Sequence, residues 1–224
     1  CEIELSKPKI AFKETIKKTA DVEYKYKKQS GGHGQYGHVK MRFAPLSDTD
    51  KIYEFKQEVV GGAVPKNFFP AVEKGLRECI SKGVVAGFPV VYLKATLVDG
   101  SYHDVDSDEL SFKTAASLAY KKCLEQAGPV LLEPVGDLDV LVPEYMVGDV
   151  MGDLNKRRAA VMGMDACEDR PGYTTVHAMA PKAELADYPI VLRAMTQGRG
   201  SFEYNVTGYD TVPQNVAQKV VAKN

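Results

Sequence analysis

Ser30-Gly31-Gly32-His33-Gly34-Gln35-Tyr36-Gly37 holds four glycines in eight residues, too little side chain to bury in a core. It also contains Gly32-x-Gly34-x-x-Gly37, the spacing of a dinucleotide-binding loop, which needs a strand before it and a helix after it. The flanks decide against that reading. His38-Val39-Lys40-Met41-Arg42-Phe43 alternates polar and apolar with a strand period, and so does Asp21-Val22-Glu23-Tyr24-Lys25-Tyr26-Lys27. The glycines therefore join two strands as a hairpin tip, and no helix N-terminus is offered to a pyrophosphate. Ser30, His33, Gln35 and Tyr36 suit contact with an irregular polar surface; a tip without a role is the plainer reading.

Outward from the hairpin, Glu2-Ile3-Glu4-Leu5 alternates like the end of a strand whose sheet lies upstream. Pro8 to Ile16 reads as a strand, and Tyr53 to Val60 as another, ended by Gly61-Gly62. Phe69, Val72, Leu76 and Ile80 recur at helical spacing, with Pro70 at the start and Gly83 as the expected cap. Val90 to Val98 is rich in β-branched residues and reads as a strand. A second polar loop follows, Asp99-Gly100-Ser101-Tyr102-His103-Asp104-Val105-Asp106, leading into a helix over 108–127. Asp106 and Glu109 have the spacing of a capping box, which accounts for these acids without a metal or catalysis. Tyr102 and His103 are left at the loop crown.

Gly128-Pro129 stops that helix and marks a domain boundary. Beyond it come a strand at 135–141, a helix after Pro143, strands at 159–165 and 173–179, a helix through Tyr188, Leu192 and Met195, and a strand at 202–206. Strand, helix, strand, strand, helix, strand is the split βαβ, ferredoxin-like order. Gln214 to Lys223 reads as a short terminal helix.

The 224 residues, 44% hydrophobic and 26% charged, fit one large or two ordinary soluble domains. No apolar run approaches membrane-spanning length and no signal peptide is visible, so a cytoplasmic protein is expected. Cys1, Cys79, Cys123 and Cys167 are widely spaced and read as reduced thiols. The chain opens at Cys1 without an initiator Met, which reads as a piece of something longer. Residues 1–128 carry 20 Lys and Arg against 17 Asp and Glu; residues 129–224 carry 9 against 13. Residues 7–28 are locally basic, with Lys7, Lys9, Lys13, Lys17, Lys18, Lys25, Lys27 and Lys28 leading into the glycine tip. Such a run is either a solvated strand face or a phosphate contact.

Enzyme chemistry finds little to work with. No Gly-x-x-x-x-Gly-Lys-[Ser/Thr] and no Gly-x-Ser-x-Gly occurs, and His33, His38, His103 and His177 lack metal-ligand spacing, so no catalytic and no metal residues are assigned. Lys156-Arg157-Arg158 ends a helix, where cations oppose the negative dipole or meet a phosphate. A generic RNA-binding or protein-interaction module, and a small enzyme using His103 with Asp104 as general base, are the competing classes.

Several segments resemble the C-terminal part of bacterial translation elongation factor G, its domains IV and V. They are Lys7-Pro8-x-x-Ala11-x-x-Glu14-Thr15-Ile16, the glycine tip through Val39, Gly100-Ser101-Tyr102-His103-Asp104-Val105-Asp106-Ser107, Pro129-Val130-Leu131-Leu132-Glu133-Pro134, Gly148-Asp149-Val150-x-Gly152-Asp153-Leu154-x-x-Arg157-Arg158 and Leu192-Arg193-x-x-Thr196-x-Gly198-Arg199-Gly200. The resemblance runs nearly end to end.

It implies an α+β chain: residues 1–6 as a remnant of domain III, 7–128 as domain IV and 129–224 as domain V with the tail. Domain IV would be a ribosomal-protein-like β/α domain with a left-handed βαβ crossover, against the usual hand, and domain V ferredoxin-like. It also implies that Ser30, Gly31, Gly32, His33, Gly34, Gln35, Tyr36, Ser101, Tyr102, His103 and Asp104 meet RNA in the small-subunit decoding centre. The RNA would be the tRNA anticodon stem-loop, its mRNA codon and nearby ribosomal RNA. Lys156, Arg157 and Arg158 would face large-subunit RNA. GTP and Mg would belong to an N-terminal domain, with no cofactor in this part, and the protein would act as a monomer on the ribosome. His33, Ala159 and Val206–Asp210 depart from the family pattern, so a translocase and a paralogue acting in ribosome recycling both fit.

Overall fold

The computed structural model describes residues 9–29 and 31–222. Within them the chain divides into two compact units: Lys13–Leu131 with the segment after Thr211, and Leu132–Thr211 with the residues before Lys13. The terminal helix was expected with the second domain. It groups instead with the first unit, where the Val212 amide donates to the Leu131 carbonyl at 2.9 Å. The two compact units part after Leu131, within the strand that begins at Pro129. The expected domain III remnant at 1–6 lies outside the described residues.

The first unit is built on the hairpin. Strands β1 (Lys13–Ile16), β2 (Ala20–Lys28), β3 (Gln35–Pro45), β4 (Tyr53–Gln57) and β5 (Leu93–Ser101) alternate with helices α1 (Phe69–Cys79) and α2 (Glu109–Gln126). The sheet runs β2-β3-β5-β4. β2 with β3 and β3 with β5 are antiparallel; β4 with β5 is parallel, so α1 bridges a βαβ unit. Of the strand expected over 8–16 only β1 forms among the described residues; Phe12 turns back, its amide donating to the Ile10 carbonyl at 3.0 Å.

Val39, Met41 and Phe43 of β3 and Leu93, Ala95 and Leu97 of β5 bury one sheet face against Val72 and Leu76 of α1 and Phe112, Ala116, Ala119 and Cys123 of α2. Each large side chain so buried contributes about 1.5–3 kcal/mol. Phe112 stacks on Phe68 at 4.6 Å between centroids, and Tyr120 meets Phe43 edge-on at 6.1 Å, which pins α2 to the sheet. The helix cap lies two residues later than the capping-box reading: Asp108, not Asp106, accepts from the Ser111 amide at 2.6 Å. Gly83 does not cap α1, which ends at Cys79 with Ile80 as its C-cap. It lies instead over the Glu14 carboxylate, which is 1% exposed and accepts from the amides of Val85 (2.9 Å), Ala86 (2.8 Å) and Phe88 (3.0 Å).

The second unit has strands β6 (Pro129–Pro143), β7 (Ala160–Ala166), β8 (Tyr173–Pro181) and β9 (Ser201–Thr211) and helices α3 (Val147–Lys156) and α4 (Tyr188–Met195). Strand order β9-β6-β8-β7, with antiparallel neighbours, is the ferredoxin-like arrangement. Leu138, Val140, Val142, Val176, Ala178 and Ala180 bury one face against Val150, Leu154, Tyr188 and Leu192. β6 and β9 run longer than the alternation alone marked, because each continues past a bulge between Val135 and Gly136. Helix α5 (Gln214–Val221) closes the described chain.

Candidate nucleic-acid interface

The β2–β3 connection and the loop between β5 and α2 come together as one tip. β3 pairs with both β2 and β5, so register sets His38 opposite Lys25 on one side and Ser101 on the other. Both loops therefore leave the same end of the sheet, and side chains of the second fasten the first. The Gly34 amide donates to Asp106 Oδ1 at 2.9 Å, and the Tyr36 amide donates to the Asp106 carbonyl at 2.8 Å. Ser107 Oγ donates to the Tyr36 carbonyl at 2.9 Å and accepts from the His103 amide at 2.9 Å.

The glycines answer to different constraints. Gly31 and Gly32 have φ of +45° and +95°, which L side chains rarely adopt. A Cβ on Gly34 would lie 3.0 Å from Asp106 Cγ, and one on Gly37 would lie 2.5 Å from the Ser111 carbonyl oxygen. The spacing that imitates a dinucleotide loop is thus one left-handed turn residue, Gly32, followed by two close approaches.

Between the loops lies a cleft of about 230 Å³. Lys27, Lys28 and Gln29 line one side, and Gly34, Gln35 and Tyr36 another; His103 and Asp106 close it. The Tyr36 and His103 rings stand 6.3 Å apart at 53°. His103 Nδ1 accepts from the amides of Val105 (3.3 Å) and Asp106 (3.2 Å), which fixes the proton of the neutral ring on Nε2. Nδ1 also lies 3.5 Å from Asp106 Oδ2; with the two amides already on Nδ1, that approach is a contact of two acceptors and not a bond. The ring is 56% exposed, so its Nε2–H is presented outward. Tyr102, Asp104 and His33 are exposed. Gln35 takes a hydrogen bond from Tyr26 Oη at 2.9 Å. Ser101 Oγ bonds Tyr36 Oη (2.8 Å) and His38 Nδ1 (2.7 Å), so its hydroxyl works inside the tip. Ser30 lies outside the described residues.

Asp106, Ser107 and His38 hold the tip together, yet spacing alone did not single them out. Asp106 looked like a cap, and His38 looked like a polar outward position of an alternating strand. His38 is 7% exposed, held between Ser101 and Glu23 Oε1, the latter at 2.8 Å from Nε2.

Lys156, Arg157 and Arg158 divide. Arg157 is buried; its Nε donates to Asp153 Oδ2, and one terminal nitrogen donates to Asp187 Oδ1 and the Glu184 carbonyl, each at 2.7 Å. Arg158 binds both Glu133 oxygens, at 2.6 and 3.0 Å, and Glu184 Oε1 at 2.8 Å. These pairs raise both guanidinium pKa values above the ordinary range, with the Glu133 bond the largest cause for Arg158. The two arginines thus brace α3 and α4, and Lys156 alone of the three is exposed. On the open face of the second sheet, His177 sits between Asp139 (2.6 Å) and Asp165 (3.3 Å), and the Asp139 hydrogen bond raises its pKa. Among the described residues no cluster of His, Cys, Asp or Glu could hold a metal, and no helix is long and apolar enough to cross a membrane.

Fold and tip define a two-domain α+β chain that presents a glycine-rich hairpin and a histidine loop as one polar surface, followed by a ferredoxin-like domain. The chain belongs to the elongation factor G family. Residues 8–128 match the family model for elongation factor G, domain IV, and residues 130–220 match that for the elongation factor G C-terminus. It is also similar to a crystal structure of a protein from Thermus thermophilus, with 45% identity and a TM-score of 0.83. That match covers 98% of this chain and 32% of the other, so this chain spans about a third of the length of its structural relative.

Proposed function

We propose that this chain is the RNA-contacting end of a ribosomal translocase. The two loops of the tip enter the decoding centre of the small subunit. They hold the tRNA anticodon stem-loop with its mRNA codon and block its return. The observation that carries this reading is the joining of the two loops through Asp106 and Ser107, in a chain of the elongation factor G family.

The chemistry suits a partner that must be gripped without being read. Gly31 and Gly32 let backbone amides approach a crowded surface. Lys27 and Lys28 supply charge for phosphates, and His103 Nε2–H and the Gln35 amide supply donors. Tyr36, Tyr102 and His103 offer planar faces to a ribose-phosphate surface recognised by shape. His33, Asp104 and the Ser30 position extend the contact, and Lys156 meets large-subunit RNA. GTP hydrolysis with Mg belongs to a preceding domain of the parent protein, which works as a cytoplasmic monomer.

Replacing His103 with Ala in the full-length parent slows single-round movement of mRNA and tRNA on this account, while ribosome-stimulated GTP hydrolysis is nearly unchanged. Undiminished movement would refute the role of His103. A parent that hydrolyses GTP on the ribosome but moves nothing would instead be a recycling factor, recognised by its splitting of post-termination ribosomes.

A further inference from the structure

We infer that His38 sets the hydrogen-bond polarity of the tip, so that Tyr36 meets its partner as an acceptor and selects a ribose 2′-hydroxyl; this rests on the RNA-contact reading above. His38 itself touches no partner and is a positioning residue.

His38 Nε2 lies 2.8 Å from Glu23 Oε1. A carboxylate only accepts, so Nε2 carries the hydrogen, and in the neutral ring Nδ1 is left with a lone pair. Ser101 Oγ, 2.7 Å from Nδ1, must then donate its one proton inward. Having donated, it can only accept from Tyr36 Oη at 2.8 Å. Every proton in the row points toward Glu23, and the Tyr36 oxygen has only lone pairs for an outside group.

Gln35, next in sequence and on the same cleft, is set the opposite way. Tyr26 Oη donates to Gln35 Oε1 at 2.9 Å, which leaves the amide N–H groups as donors. Gln35 and Tyr36 are successive residues of β3, so their side chains leave opposite faces of the sheet and the Gln35 donors make a separate contact. A phosphate oxygen has no proton to give the Tyr36 oxygen; a ribose 2′-hydroxyl has one.

Two measurements on this chain test it. Nitrogen NMR of the His38 ring at neutral pH should show the tautomer protonated at Nε2; a ring protonated at Nδ1, or at both nitrogens, overturns the inference. The second is a titration with an RNA stem-loop and with its 2′-fluoro analogue, which keeps the A-form sugar but cannot donate. The unsubstituted chain should bind the 2′-fluoro form about 3- to 10-fold more weakly, the worth of one hydrogen bond. Tyr36→Phe and His38→Gln should bring that ratio to about one. If His38→Gln fails to fold, Tyr36→Phe carries the test, since it removes a single oxygen. An undiminished ratio in Tyr36→Phe, or equal binding of both stem-loops by the unsubstituted chain, overturns the inference alone. No binding of either stem-loop overturns the RNA-contact reading, and this inference with it.

Discussion

Gly37→Ala is the perturbation whose cost can be worked most directly from the structure. An added Cβ would lie 2.5 Å from the Ser111 carbonyl oxygen, 2.6 Å from its carbon and 2.9 Å from the Phe112 nitrogen. Ordinary contact begins near 3.4 Å, so the overlap approaches an ångström. All three atoms are backbone in the first turn of α2, so no rotamer change relieves it. β3 is held on both sides by β2 and β5, and Phe112 is stacked on Phe68, so neither element moves alone. Overpacking of this kind costs about 1–3 kcal/mol, and the backbone-to-backbone clash sets the upper end, about 3 kcal/mol. For a unit of this size that lowers the thermal midpoint by roughly 10 °C. The transition of the second unit should not move. Calorimetry with two resolved transitions checks this, with Gly152→Ala as control: nothing lies within 4 Å of its Cβ, and Ala is the better helix former, so the second unit should gain about 0.5–1 kcal/mol. A fall below about 2 °C in the first transition would refute the argument that α2 and β3 are locked at Gly37.

Other perturbations act on single interactions. Arg158→Met leaves Glu133, whose side chain is 2% exposed, without its bidentate partner; denaturant unfolding should show a loss of about 2–4 kcal/mol, at least half of it recovered in the Arg158→Met, Glu133→Met double variant. Glu14→Gln sets an amide against three backbone donors and should cost about 2–3 kcal/mol, with faster hydrogen exchange at the Val85, Ala86 and Phe88 amides. His177 has its folded pKa raised by Asp139, so its stabilisation is complete below the unfolded value, about 6.5, and fades as pH rises through the folded one. Thermal midpoints of the parent chain and His177→Gln should therefore differ at pH 5.5 and converge by pH 9; a gap that widens with pH has the wrong sign.

Much of the fold was legible because its signals are local. Alternation on both sides of Ser30–Gly37 marked the hairpin, and element order alone marked the ferredoxin-like domain. What stayed hidden depends on register. Nothing near Asp106 in the sequence says that its carboxylate holds Gly34; its spacing is that of a cap, a role Asp108 fills. His38 alternates like a solvated residue, yet Glu23 from β2 and Ser101 from β5 enclose it, and only strand pairing reveals them. Arg157 and Arg158 were read as dipole or phosphate partners because Glu133, Glu184 and Asp187 are distant in sequence. That the second loop joins the first was legible only through family resemblance.

The most direct measurement of the central claim is photocrosslinking from the tip. The full-length parent would carry p-benzoylphenylalanine in place of exposed His33, with a matched control in place of Val60, which is 84% exposed. On pretranslocation ribosomes with GTP, the account predicts crosslinks from position 33 to tRNA, mRNA or decoding-centre RNA, and far fewer from position 60. Crosslinks from position 33 to protein alone, or RNA crosslinks no more frequent than those from position 60, would contradict it.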